Sequence, residues 1–194
     1  MIRAGVALRL IAGVRRFTGA RDGVSAVEFA IVLPLMLLLY IGGVELGDGL
    51  AIQFKVAETA RTVTDLTTQY VNIDSRTMSD ILSAAAQVVA PYPSSSMVVT
   101  VSEITTNGAG QGTVTWSCSL NGTPRPQNQS FTLPTALQAA NISLIFGEVT
   151  YPYTPQLGSI VTGTINISQS TYFYPRLSTQ ITAPTSATTP VSCS

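Results

Sequence analysis

Between Val24 and Val44 the chain reads VSAVEFAIVLPLMLLLYIGGV, and its only charge is Glu28. Residues 29–44 are sixteen consecutive uncharged positions. As a helix they span ~24 Å, a little short of a ~30 Å hydrocarbon core. Counting from Val24 supplies the missing length, with Glu28 near one interface. The run therefore predicts a membrane-crossing helix. A carboxylate inside such a segment costs roughly 2.5–3.5 kcal/mol at the bilayer centre on insertion scales, so Glu28 calls for a functional reason. Pro34 lies mid-run, where a helix in lipid is expected to kink rather than break.

Charge is placed unevenly around this segment. Before Val24 stand Arg3, Arg9, Arg15, Arg16 and Arg21 against Asp22, a balance of +4; the remainder carries five basic and nine acidic residues, a balance of −4. A basic leader beside an apolar run places the leader in the cytoplasm and the rest across the membrane. No basic surface recurs downstream, so nucleic acid is not an expected partner. Only 10% of residues are charged and none is His. Soluble domains average about 25% charged. That balance suits an envelope protein better than a cytosolic enzyme.

The leader, residues 1–23, departs from an ordinary secretory signal. No A-x-A-like cleavage site follows the apolar run, whereas the small residues Gly19, Ala20 and Gly23 precede it. Residues 4–14 have the character of a short amphipathic helix.

Beyond the apolar run, Ile52, Val56, Ala60, Val63, Leu66 and Tyr70 recur every three or four positions, the mark of one helical face. A single helix over 24–71 is therefore predicted, lipid-facing in its first half and amphipathic in its second. Gly42, Gly43, Gly47 and Gly49 weaken its middle. A second helix is predicted over Ser75–Ala90, with Asp74 or Ser75 as N-cap and Pro91 and Pro93 beyond its end. From Met97 the period changes to two. Residues 97–105, 112–120, 142–151 and 158–174 read as strands, the first two joined by the turn NGAGQG. Residues 121–129 read as a loop, 134–141 as a loop or one short helix, and the tail from Ile181 as irregular. The fold class is α+β: a long N-terminal helix packed on a C-terminal antiparallel domain, 72–194, of about four strands.

Chemistry is not expected of this chain. Without His there is no imidazole triad or metal site, and Asp74, Asp80, Glu103 and Glu148 are scattered. No catalytic residue, metal or cofactor is assigned. Four N-x-[ST] sequons, at Asn121, Asn128, Asn141 and Asn166, are the chance product of a Ser/Thr-rich chain. Cys118 and Cys193 lack metal-type spacing. In an oxidising compartment they are expected to pair, stabilising the domain by ~4 kcal/mol in the chain-entropy model. Two separate buried thiols are the alternative.

The stretch GVSAVEFAIVLPLMLLLYIGGVELG resembles the signature of TadE-like proteins, the minor pilins or pseudopilins of tight-adherence (Flp/Tad) type IV pili. The shared features are the basic leader, the AVEFA core with Glu28 and Phe29, Pro34 within the apolar run and the acid Glu45 near its far end. VTYPYTP (149–155) and YFYPRLS (172–178) resemble aromatic–proline motifs of the same family, and 71–140 match nothing recognisable. The resemblance implies cleavage between Gly23 and Val24 by a prepilin peptidase on the cytoplasmic face. It implies other pilins, the inner-membrane assembly platform and membrane lipid as partners. It also implies a single-pass place in a bacterial inner membrane, a periplasmic C-terminal domain and possible export into the pilus. Glu28, the fifth mature residue, would neutralise the new Val24 amine of an adjacent subunit. Phe29 stands where major Flp pilins carry Tyr, which favours the minor-pilin branch. The competing reading is an uncleaved, single-pass anchored periplasmic binding module, with Glu28 snorkelling to the headgroups.

Overall fold

A computed structural model of the chain describes residues 22–156, 158–182 and 191–194. The predicted leader, including the amphipathic stretch 4–14, lies outside them apart from Asp22 and Gly23. The chain divides into two compact units, with the boundary between Glu45 and Leu46.

Helix α1 runs from Asp22 to Thr67, 46 residues that continue through Pro34 without a break. It ends four residues before the predicted boundary. Its final turns place Ile52, Val56, Ala60 and Val63 in the core, the face predicted from their spacing. Thr59, Thr64 and Thr67 are also fully buried there. Each hydroxyl donates to a backbone carbonyl four residues earlier, at 2.7–2.8 Å, so no polar atom is stranded against the sheet.

Helix α2 (Ser75–Ala86) is capped by Asp74, whose Oδ1 accepts the Thr77 N–H at 2.7 Å. That bond holds the Asp74 carboxyl below its ordinary range. The helix stops at Ala86 and tightens into a 3₁₀ turn, Gln87–Val89, ahead of Pro91. The prediction to Ala90 therefore merged two helical forms. Met78, Ile81, Leu82, Ala85 and Ala86 face inward.

Among the described residues the sheet has six strands, where about four were expected. β1 (Val98–Thr106), β2 (Gly112–Leu120), β4 (Ser143–Tyr153) and β5 (Ile165–Phe173) are the four long ones. β3 (Ser130–Phe131) and β6 (Val191–Cys193) are short additions to β2. The order is β3-β2-β1-β4-β5, all pairings antiparallel, with β6 beside the far end of β2. The predicted last strand began too early, because Ser159–Thr162 forms a single helical turn, α3, before β5. The tail is not irregular throughout, since Val191–Cys193 pairs with β2. Two- and three-residue strands carry too little alternation to be seen in sequence. Of the stretch 134–141, Thr135–Leu137 is a 3₁₀ turn.

The β1–β2 turn is built by Asn107, whose Oδ1 accepts from the N–H groups of Ala109 and Gln111. Three of the sequon asparagines, Asn121, Asn128 and Asn141, adopt positive φ of 57°, 63° and 55°, which is a turn-forming role.

The sheet buries both faces. One packs on α1 and α2 through Val99, Val101, Trp116, Cys118, Leu120, Ile145 and Val149. The other carries a smaller cluster of Ile104, Val114, Leu133, Leu144 and Phe146 beneath the 131–142 segment. The helix direction on the sheet follows from two close approaches. A Cβ at Gly49 would lie 3.5 Å from the Tyr153 ring, and one at Gly147 would meet Thr64 and Ala60. About 13 residues of helix and six of strand both advance ~20 Å, so this part of α1 runs antiparallel to β4.

Candidate functional site

The first half of α1 is the segment on which the functional prediction rests. Gly23 and Val24 are helical, at the start of the described part of α1. Glu28 follows Gly23 by five residues, ~7.5 Å along the axis. The whole segment is unburied: Val24, Phe29, Leu35, Leu38 and Tyr40 are all more than half exposed. Glu28 is exposed too. Large apolar side chains thus point outward on every side of the helix. A helix apolar all round needs either a protein core or a membrane. Here an 18-residue window with mean hydropathy 2.3 has none of its length buried.

The remaining predicted site residues fall in the sheet domain. Cys118 and Cys193 face each other across β2 and β6 and are joined as a disulfide, with 4.1 Å between their Cα atoms. The bond completes a covered edge. β3 pairs with Gly112 and Thr113, the Val114 backbone exchanges bonds with Asn128 and Gln129, Ser117 with Ser194, and β6 takes Cys118–Leu120. A sheet edge dressed in this way offers no template for strand addition.

The two aromatic–proline motifs part company. In the first, Tyr151 is buried in the main core and Tyr153 packs beside it, which is a structural role. In the second, Tyr172 stacks on Phe146 with ring centroids 4.6 Å apart, whereas Tyr174 and Leu177 are exposed. Arg176 donates its backbone N–H to Thr68 O and forms an ion pair with Asp65.

Three features were not foreseen. The buried Glu103, only 1% exposed, sits opposite Trp116 across β1 and β2. Its Oε1 accepts from Ser143 Oγ at 2.6 Å and from Ile181 N–H at 2.9 Å, while Trp116 Nε1 donates to Ile181 O at 2.8 Å. Together they hold both backbone polar groups of Ile181, in the segment that leads from β5 to the tail. Thr182 then bonds both Val71 and Ile73, closing the α1–α2 connection. Glu103 Oε2 has no partner among the described residues, and burial pushes the carboxyl pKa up against the opposing pull of the Ser143 and Ile181 bonds. On the other face, Arg125 lies 5.0 Å from the Phe146 ring centroid and pairs with Glu148. The third is Gly147, on which the helix rests. All three depend on residues distant in sequence, whereas only alternating apolar residues mark a face locally.

An exposed apolar N-terminal helix that fits a single-pass membrane anchor, joined to an antiparallel α+β body, defines the class of the molecule. Residues 23–65 match the family model described as TadE-like protein, which establishes a TadE-like segment along almost the whole of α1 and supports association with tight-adherence pili. No curated protein and no solved structure matches the chain.

Proposed function

We propose that the chain is a minor pilin, or pseudopilin, of a tight-adherence pilus, cleaved after Gly23 and acting in assembly, priming or at the tip of a filament used for surface adhesion. One observation carries this reading: the TadE-like match begins at Gly23, five residues before Glu28, the single charge of the otherwise lipid-suited run 24–44. After cleavage Val24 bears an amine. Glu28 of a neighbouring subunit neutralises it, so two charges that are costly alone become tolerable as a pair and set the axial register. Other pilins and the inner-membrane platform are then the partners, the prepilin peptidase is the processing enzyme, and the sheet domain is a non-catalytic body on the far side of the membrane. N-terminal sequencing of the mature protein from piliated cells tests the reading. A start at Val24 supports it. Retention of Met1 or Ile2 overturns it and leaves the anchored binding module, which would stay in the inner membrane when filaments are sheared away.

A further inference from the structure

The β1–β2 turn and the segment after β3 enclose a groove of about 350 Å³, at the end of the sheet farthest from the start of β5. This lies within the roughly 300–1,000 Å³ of small-ligand clefts. Because α1 runs antiparallel to β4, the groove also lies away from the Leu46 end of the helix.

Its walls have a consistent chemistry. Gln111, Thr113, Ser130, Thr132, Gln138 and the aromatic Phe131 line it, and no lining residue is charged; the Arg125 guanidinium, 5.7 Å from the Phe131 ring centroid, is already paired with Glu148. Amides and hydroxyls both donate and accept, whereas a charged ligand would need a counter-charge that these walls do not offer.

The groove is also built rigidly. Gly110, at φ +76°, brings its backbone so close to Gln138 that a Cβ would stand 2.7 Å from Gln138 O. Gly112 approaches Phe131 O equally closely. Gln138 Nε2 donates to Leu133 O, and Thr106 Oγ1 to Ala139 O, which ties the far wall to the sheet. A wall held in place loses little freedom when a ligand arrives.

The geometry points to a binding site for neutral carbohydrate: uncharged hydroxyls of a sugar chain bonded by the Gln111, Gln138 and Thr132 side chains, with a ring face or edge against Phe131. A shallow polar site of this kind binds weakly as one copy; under the pilin reading, copies sharing one filament would add avidity. The inference goes beyond the pilin reading and does not depend on cleavage of the leader.

The test uses the full chain in phospholipid nanodiscs, free of glycosidic detergents. Saturation-transfer NMR is recorded with neutral malto-, cello-, xylo- and chito-oligosaccharides, with oligogalacturonate and with an uncharged Ser/Thr-rich peptide. The expected result is transfer to at least one neutral oligosaccharide and to neither control. The exposed-residue double variant Gln111→Ala/Thr132→Ala is expected to fold as the parent does and to weaken binding by about tenfold, the effect of one or two lost hydrogen bonds. No transfer to any neutral oligosaccharide overturns the proposal. So does equal transfer to either control, or a double variant that binds as well as the parent.

Discussion

Gly147 on β4 and Thr64 on α1 are packed so closely that a Cβ added at 147 would stand 1.9 Å from Thr64 Oγ1 and 3.1 Å from Ala60 O. The helix backbone is therefore seated on the sheet at a position where no side chain can intervene. Thr64 cannot turn away freely, because its hydroxyl donates to Ala60 O at 2.7 Å. Gly147→Ala is expected to destabilise the domain by about 1–3 kcal/mol, the usual cost of overpacking. Chemical denaturation monitored by Trp116 fluorescence measures it. Thr64→Ala in the same chain should return part of that loss, but not all, since the Ala60 carbonyl remains. Strict additivity of the two substitutions would show that they do not meet.

The disulfide gives a second prediction. Cys118 and Cys193, 75 positions apart, fasten a three-residue strand that is otherwise held by its pairing with β2 and by the buried Val191. Cys118→Ser with Cys193→Ser is expected to lower stability by about 2–5 kcal/mol. Hydrogen exchange should rise first in Val191–Cys193 and along the β2 edge that it covers. If reduction left exchange there unchanged, backbone pairing alone would be holding the tail.

What could be read from the sequence was what repeats. The 3.6-residue period of Ile52, Val56, Ala60 and Val63 and the two-residue period of Val99 and Val101 each mark a buried face, and the long strands and both helices followed from them. The membrane-suited segment was legible because sixteen uncharged residues in a row have few other uses. Features that depend on meeting at a distance were not legible. Glu103 and Ile181 lie 78 positions apart, and nothing local in either announces the bond between them. Gly147 looks like a flaw in a strand until α1 is laid across it. Arg125, in a loop of prolines and asparagines, reveals its place over Phe146 only once the sheet has formed.

Glu103 supplies a pH dependence. Its carboxyl is buried with no cation paired to it among the described residues, and its folded pKa is raised above the ordinary 4.5, burial being the first cause. Between 4.5 and the raised value the native state therefore holds a proton that the unfolded chain has released. Stability contributed by this group is complete below pH 4.5 and falls as pH rises through that window. Glu103→Gln removes the slope while keeping an acceptor for Ser143 and Ile181. Denaturation midpoints measured from pH 4 to 8 should show the variant gaining on the parent as pH rises. A constant difference across that range would mean that the carboxyl does not change its protonation on unfolding.

Glu28 supplies the prediction that bears on assembly. The residue is exposed on the helix, and no described residue of its own chain is packed over the apolar window around it. Its removal should leave the domain as stable as before. The cost appears only when subunits meet, because the Val24 amine of a neighbour is then left in apolar surroundings without a counter-charge. An unpaired charge there costs roughly 2.5–3.5 kcal/mol, and each ~1.4 kcal/mol is a factor of ten. Glu28→Ala is thus expected to reach the membrane in normal amount, to lose its leader normally, and to enter sheared filaments about a hundredfold less often. Immunoblots of membrane and sheared fractions, with N-terminal sequencing of the membrane-held protein, separate these steps. Normal entry into filaments by a processed Glu28→Ala chain would show that the carboxylate serves the anchor and not the contact between subunits.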